Sequence, residues 1–126
     1  MKFEEFKGSP NRERKNEARV TLNHRGVVQM NRQAFEAFGS PAAVKLFFEE
    51  QELVIALKPS DVRHRNAFRL KLKGSGNTRI IHTLPFCRHN KIRVERTVLF
   101  NEVDIDNEGT MFLSLKDITR IGRRWE

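Results

Sequence analysis

The chain has 126 residues, a net charge of +8 and 38% hydrophobic residues, ten of its side chains being Phe. That length suits one ordinary domain, or two small halves sharing a core, and it supplies enough apolar surface to bury one. No apolar run approaches the ~20 residues of a membrane span, Met1–Phe6 lacks the apolar stretch of a secretory signal, and a lone Cys87 excludes an intramolecular disulfide framework, so a cytoplasmic protein is expected.

Residues 1–17 are polar, broken by Gly8-Ser9-Pro10-Asn11, and read as a flexible arm. From Ala18 the pattern is strand-like: Val20 and Leu22 alternate with Arg19 and Thr21, residues 23–26 supply turn chemistry, and Val27–Met30 resumes as a strand. Asn31 is a good helix N-cap, since its short side chain can accept from a free backbone N–H. The helix is predicted over Arg32–Phe38, with Ala34, Phe35 and Phe38 on one face and Gly39 ending it. Val44, Leu46 and Phe48, then Leu53–Leu57, make a hairpin around a polar turn, closed by Lys58-Pro59-Ser60. The second half repeats this order loosely. A strand with Phe68, Leu70 and Leu72 on one face leads through the Gly74–Asn77 turn to a strand over Thr78–Thr83 and a short helix over Pro85–His89. Strands are then predicted over Ile92–Phe100, Val103–Ile105 and Met111–Leu115, with a basic tail from Lys116 that is a helical turn or disordered. The expected class is mainly β with short α-helices. The chain divides into an arm (1–17), a β-α-hairpin unit (18–60), a second, degenerate unit (61–115) sharing one core, and the tail (116–126).

Charge is concentrated rather than spread. Residues 1–59 carry ten Lys/Arg against eight Asp/Glu, residues 60–96 ten against two, and residues 97–126 four against six. A local excess of this kind points to a polyanionic partner. On an alternating strand Arg69, Lys71 and Lys73 would share a face opposite Phe68, Leu70 and Leu72. The bland alternative is an edge strand protected from aggregation by its lysines.

The segment Arg25-Gly26-Val27-Val28-Gln29-Met30-Asn31-Arg32-Gln33-Ala34-Phe35-Glu36-Ala37-Phe38-Gly39 resembles the AbrB-like swapped-hairpin family of transcription regulators. That family reads basic, Gly, any, Val, any, Ile, Pro, Lys, any, Ile, Arg, Glu, Ala, Leu, Gly, followed by a hairpin with an acidic turn and a basic-Pro exit. Here residues 44–59 follow that scheme, and the resemblance covers about residues 18–60. Asn31 stands where the family has Pro, and Phe35 where it has an Arg that can help contact DNA. The resemblance implies two hairpin-bearing units interlocked in a swapped-hairpin barrel, as a homodimer or, with a tandem second unit, as a pseudo-dimeric monomer. It also implies binding of double-stranded DNA through a basic face near the turn before the helix, which carries over Arg19, His24, Arg25 and Arg32 as contacts. Charge alone adds Arg69, Lys71, Lys73 and Arg79.

Other constellations are weaker. His64, His82, Cys87 and His89 invite a metal reading, but Cys87 and His89 are two apart on a short helix and no second cysteine exists, so no metal or other cofactor is expected. No orienting carboxylate stands near Cys87, which favours a buried, inert thiol over a nucleophile. Residues 104–109 lack the closing Glu of a calcium loop, because Leu115 stands there. Gly74-Ser75-Gly76 lies between strands and is no phosphate loop. Arg123, Arg124 and Trp125 could grip a nucleic acid from the tail. Nothing indicates an enzyme, a small-molecule substrate or a membrane partner. The expected function is therefore a DNA-binding regulator. The alternative is an antitoxin-like or adaptor module, docking through apolar surface around Phe47, Phe86 and Phe100.

Overall fold

The structure, a computed structural model, describes residues 17–74 and 76–122. The first half forms β1 (Val20–Leu22), β2 (Val27–Met30), α1 (Arg32–Ala37), β3 (Ala43–Glu49) and β4 (Val54–Ser60). The second forms β5 (Phe68–Arg69), β6 (Lys71–Leu72), β7 (Arg79–His82), α2 (Leu84–His89), β8 (Val98–Phe100), β9 (Asp104–Ile105), β10 (Met111–Ser114) and β11 (Ile118–Arg120). The described residues are thus mainly β with two short helices, and no helix among them is long and apolar enough to cross a membrane.

Local chemistry accounts for the first half. In the β1–β2 turn the Asn23 side-chain oxygen accepts from the N–H groups of Arg25 and Val27, at 2.9 and 3.0 Å. Asn31 caps α1 by accepting from the Ala34 N–H at 2.9 Å. The same oxygen accepts from the Arg19 N–H, and its amide donates to the Glu17 carbonyl, so one side chain ties the helix start to the entry of β1. Gly39, at φ +89°, ends the helix in the left-handed conformation expected of it.

Every strand pairing is antiparallel. A six-stranded sheet runs β11-β8-β1-β2-β7-β6, and a five-stranded sheet runs β5-β3-β4-β10-β9. The halves of the chain interleave in both. β2 pairs with β7, β1 with β8, β3 with β5 and β4 with β10. Two short segments serve both sheets: 68–72 contributes β5 to one and β6 to the other, and 111–120 does the same with β10 and β11. Strand alternation turns Val20, Leu22, Val28, Met30, Ile81, Val98 and Phe100 inward from the six-stranded sheet, and Val44, Ile55, Leu57, Met111 and Leu113 from the other. Ala34, Phe38 and Cys87 join them from the helices. Burying a side chain of the Leu, Ile or Met class contributes about 1.5–3 kcal/mol. Because this one cluster draws on both halves, neither half has a core of its own.

Three expectations need correction. Phe68–Lys73 is not one alternating strand: it breaks at Leu70, whose N–H donates to the Ala42 carbonyl, and Leu72 beyond the break is 52% exposed. The strand predicted over Ile92–Phe100 exists only at Val98–Phe100, where β1 offers a partner. Before that, Lys91 adopts φ +57° and the Ile92 N–H turns back to the Cys87 carbonyl, closing α2 instead of joining a ladder. The tail, read as helical or disordered, contains β11, held to β8 with Ile118 opposite Phe100. Residues 1–16 of the arm, Ser75, and Arg123, Arg124 and Trp125 lie outside the described residues.

Candidate nucleic-acid interface

The strands β1, β2, β7 and β6 form the middle and one edge of the six-stranded sheet, and their pleat sorts the basic residues. Residues directly opposite on antiparallel strands point to the same face. Val28 lies opposite Ile81, both buried, so Gln29, Ile80 and Lys71 share the outer face in one lateral row with Thr21. Arg19 is two residues before Thr21, and Lys73 two beyond Lys71, so both fall on this outer face as well. The Lys73 ammonium donates to the Gln29 side-chain oxygen at 3.0 Å, reaching across β7. His82, opposite Val27, completes the face. From β1 to β6 is three strand spacings, roughly 14 Å. The four strands contain no Asp or Glu, and Glu17, two residues before Arg19, is the carboxylate that borders the face at the entry to β1.

The remaining predicted contacts lie elsewhere. Arg69 is opposite Ala43 in the five-stranded sheet, and meets Lys71 and His82 only at a shallow hollow of about 310 Å3 where the sheets join. Arg79 is opposite Met30 and so turns to the inner side, where its guanidinium stacks 4.4 Å above the Phe35 ring. Phe35 thus serves as the seat for this arginine. Arg32 is exposed on α1 and paired with Glu36 at 2.9 Å. Arg25 is exposed at the β1–β2 turn, and His24 beside it lines a hollow of about 430 Å3 with Arg88, Lys91 and Arg93.

That last cluster was not anticipated as a site. Lys91, Arg93 and Arg96 lie in the connection after α2 and border a second hollow of about 640 Å3, together with Arg120. The sequence signal was the cation spacing over 88–96, hidden by its reading as a strand. Much of the charge excess at 60–96 therefore sits away from the sheet face.

The turn and α2 are held together at one point. Gly26 has φ +74°, and a Cβ on it would lie 2.7 Å from the Leu84 Cα. Its carbonyl accepts from both the N–H and the hydroxyl of Thr83, each at 2.7 Å. The hydroxyl has one proton, so the Cys87 thiol 3.5 Å away is the donor to Thr83 Oγ1. Burial pushes the Cys87 thiol above its usual range, outweighing the nearby hydroxyl. His64 and His89 are exposed, and among the described residues no group of three or more His, Cys, Asp or Glu could hold a metal ion.

Phe47, Phe86 and Phe100 do not form one patch. Phe100 is buried in the core, Phe86 is half-buried on α2, and Phe47 is 52% exposed on the five-stranded sheet. No protein-family model, no curated protein and no solved structure matches the chain.

Proposed function

We propose that this chain is a non-enzymatic, cytoplasmic DNA-binding regulator that grips double-stranded DNA with the outer face of β1, β2, β7 and β6. The observation that carries this is the juxtaposition of Lys71 and His82, on strands without a carboxylate, with Arg19 and Lys73 at the strand ends, around Gln29. Phosphate contacts need cations at fixed spacing, and sheet strands hold their spacing better than a loop does. Gln29 is at the centre of the face, where a side-chain amide can meet a base edge in the major groove.

The AbrB-like reading of the architecture belongs to the same proposal, as a single-chain pseudo-dimer. β1-β2-α1-β3-β4 and β5/β6-β7-α2-β8/β9-β10/β11 follow one order. The hairpin of each unit pairs with the first strand of the other, β3 with β5 and β8 with β1, which is what hairpin exchange requires. The segments shared between sheets at 68–72 and 111–120 would close the strands into a barrel. β2 and β7, meeting antiparallel, would flank the approximate two-fold axis. The test is duplex-DNA binding by fluorescence anisotropy, comparing wild type with an Arg19→Ala/Lys71→Ala/Lys73→Ala variant at two salt concentrations. Salt-sensitive binding that collapses in the variant is expected.

A further inference from the structure

The outer face of the five-stranded sheet, on the other side of the molecule's core, has its own polarity. The register places Phe47, Ala56 and Phe112 in one lateral row on this face, with Phe47 and Phe112 flanking the small Ala56. Two strand spacings separate the rings' strands, roughly 10 Å. Phe47 is 52% exposed and Phe112 half-buried. One row along, Lys45 lies directly opposite Lys58, and one row further Arg69 lies opposite Ala43.

Two features of this face cost stability and have no internal compensation on it. An aromatic ring is left largely in water, and two lysines are set directly across from one another, where like charges repel. A ligand that offers a flat ring to Phe47 and an anion to Lys45 and Lys58 relieves both. Single-stranded nucleic acid has that combination: bases with a π-face, and phosphates at regular intervals. The carboxylates nearby border the rings and not the lysines. Glu49, one row beyond Phe47 on the side away from Lys45, accepts from the Gln51 and Glu52 N–H groups of its own turn, and Asp104 ends the ring row on β9, opposite Phe112.

We propose that the outer face of β3, β4 and β10 is a second binding surface, for single-stranded nucleic acid, in which bases stack on Phe47 and Phe112 while Lys45, Lys58 and Arg69 hold the phosphates. It is distinct from the face proposed for duplex DNA and does not depend on it. A duplex keeps its bases stacked on each other and has no free ring to offer here, so the two surfaces sort paired from unpaired strands.

The test is an anisotropy titration with a labelled 12-nucleotide oligothymidylate, run beside the duplex, on four proteins. These are wild type, Phe47→Ala, Phe47→Trp, and the Arg19→Ala/Lys71→Ala/Lys73→Ala variant of the other sheet. Phe47→Ala is expected to weaken oligothymidylate binding about tenfold or more, from the usual worth of one stacked base. It should leave duplex binding unchanged, and Phe47→Trp should bind the oligothymidylate as wild type does. The triple variant should do the reverse, losing duplex and keeping the single strand. Because Phe47 is largely exposed, its replacement should leave the far-ultraviolet circular dichroism spectrum unaltered. Equal oligothymidylate affinity in wild type and Phe47→Ala overturns the proposal. So does absence of oligothymidylate binding at low salt together with a dimer in sedimentation that Phe47→Ala converts to monomer, which would make the face a contact between copies of the chain.

Discussion

Gly26 packs directly against the start of α2, where the two halves of the chain meet, and replacing it with alanine tests the interleaved arrangement. Three consequences follow from the geometry. At φ +74° a side chain occupies the left-handed region, at a cost of about 1–2 kcal/mol. The new Cβ would lie 2.7 Å from the Leu84 Cα and 2.9 Å from its nitrogen, both backbone atoms that cannot swing aside. To relieve the clash the turn must move away from α2, stretching the two hydrogen bonds from Thr83 to the Gly26 carbonyl, each worth about 1 kcal/mol net. The sum is about 3–4 kcal/mol, a large fraction of the ~5–15 kcal/mol that holds a domain folded. Urea unfolding followed by circular dichroism should show the midpoint falling by about 1–4 M, given the m-value of ~1–3 kcal/mol/M of a small domain. Gly39→Ala is the control: its φ is +89°, but nothing lies within 4 Å of the added Cβ, so it should cost only the conformational part. If Gly26→Ala and Gly39→Ala reduced stability equally, to within about 0.5 kcal/mol, the close approach of turn and α2 would be wrong.

Three further outcomes are expected. Thr83→Val keeps the shape and the backbone bond but removes the hydroxyl that Gly26 accepts from, so it should destabilise by about 1 kcal/mol in urea titration, whereas Thr83→Ser should keep most of that bond's contribution. Since burial raises the Cys87 thiol in the folded state, its contribution is fully present below the unfolded value of ~8.5 and is lost as pH rises through the folded one. The stability gap between wild type and Cys87→Ala should therefore narrow between pH 7 and pH 10, and thiol labelling of the native protein should be slow. Arg79→Ala should cost about 0.5–1 kcal/mol by removing the stack on Phe35, while leaving DNA affinity unchanged, because its guanidinium is committed on the inner side.

The first half was legible because its signals are local. Asn31 and Gly39 bound α1, the Asn23–Gly26 turn has its own hydrogen bonds, and β3 and β4 pair across a short polar loop. The second half misled where a distant partner decides the conformation. Phe68, Leu70 and Leu72 alternate like one strand, yet β3 claims the first part and β7 the second, so the chain bends and Leu72 is left exposed. Ile92 and Val94 also alternate, but no strand among the described residues pairs with them, and they border two hollows instead. Ile118 is the reverse case: an apolar residue in a mostly polar tail becomes a strand residue because Phe100 lies across from it. On the proposed face, charge and alternation alone place Lys71 and Lys73 on one side. Arg79 could not be excluded without the pairing of β7 with β2, which settles the side it faces, nor Arg69 without the break at Leu70.

In the proposed complex Arg19, Lys71 and Lys73 act together on one face. The most direct measurement is the anisotropy titration of a mixed-sequence duplex with wild type and the Arg19→Ala/Lys71→Ala/Lys73→Ala variant over a series of salt concentrations. Every phosphate that is no longer neutralised should reduce the slope of log affinity against log salt by about 0.9, so the variant's slope should fall by about 2–3 and its low-salt affinity should collapse. Equal slopes in the two proteins, or no duplex binding by wild type at low salt, would contradict the assignment of this face to DNA.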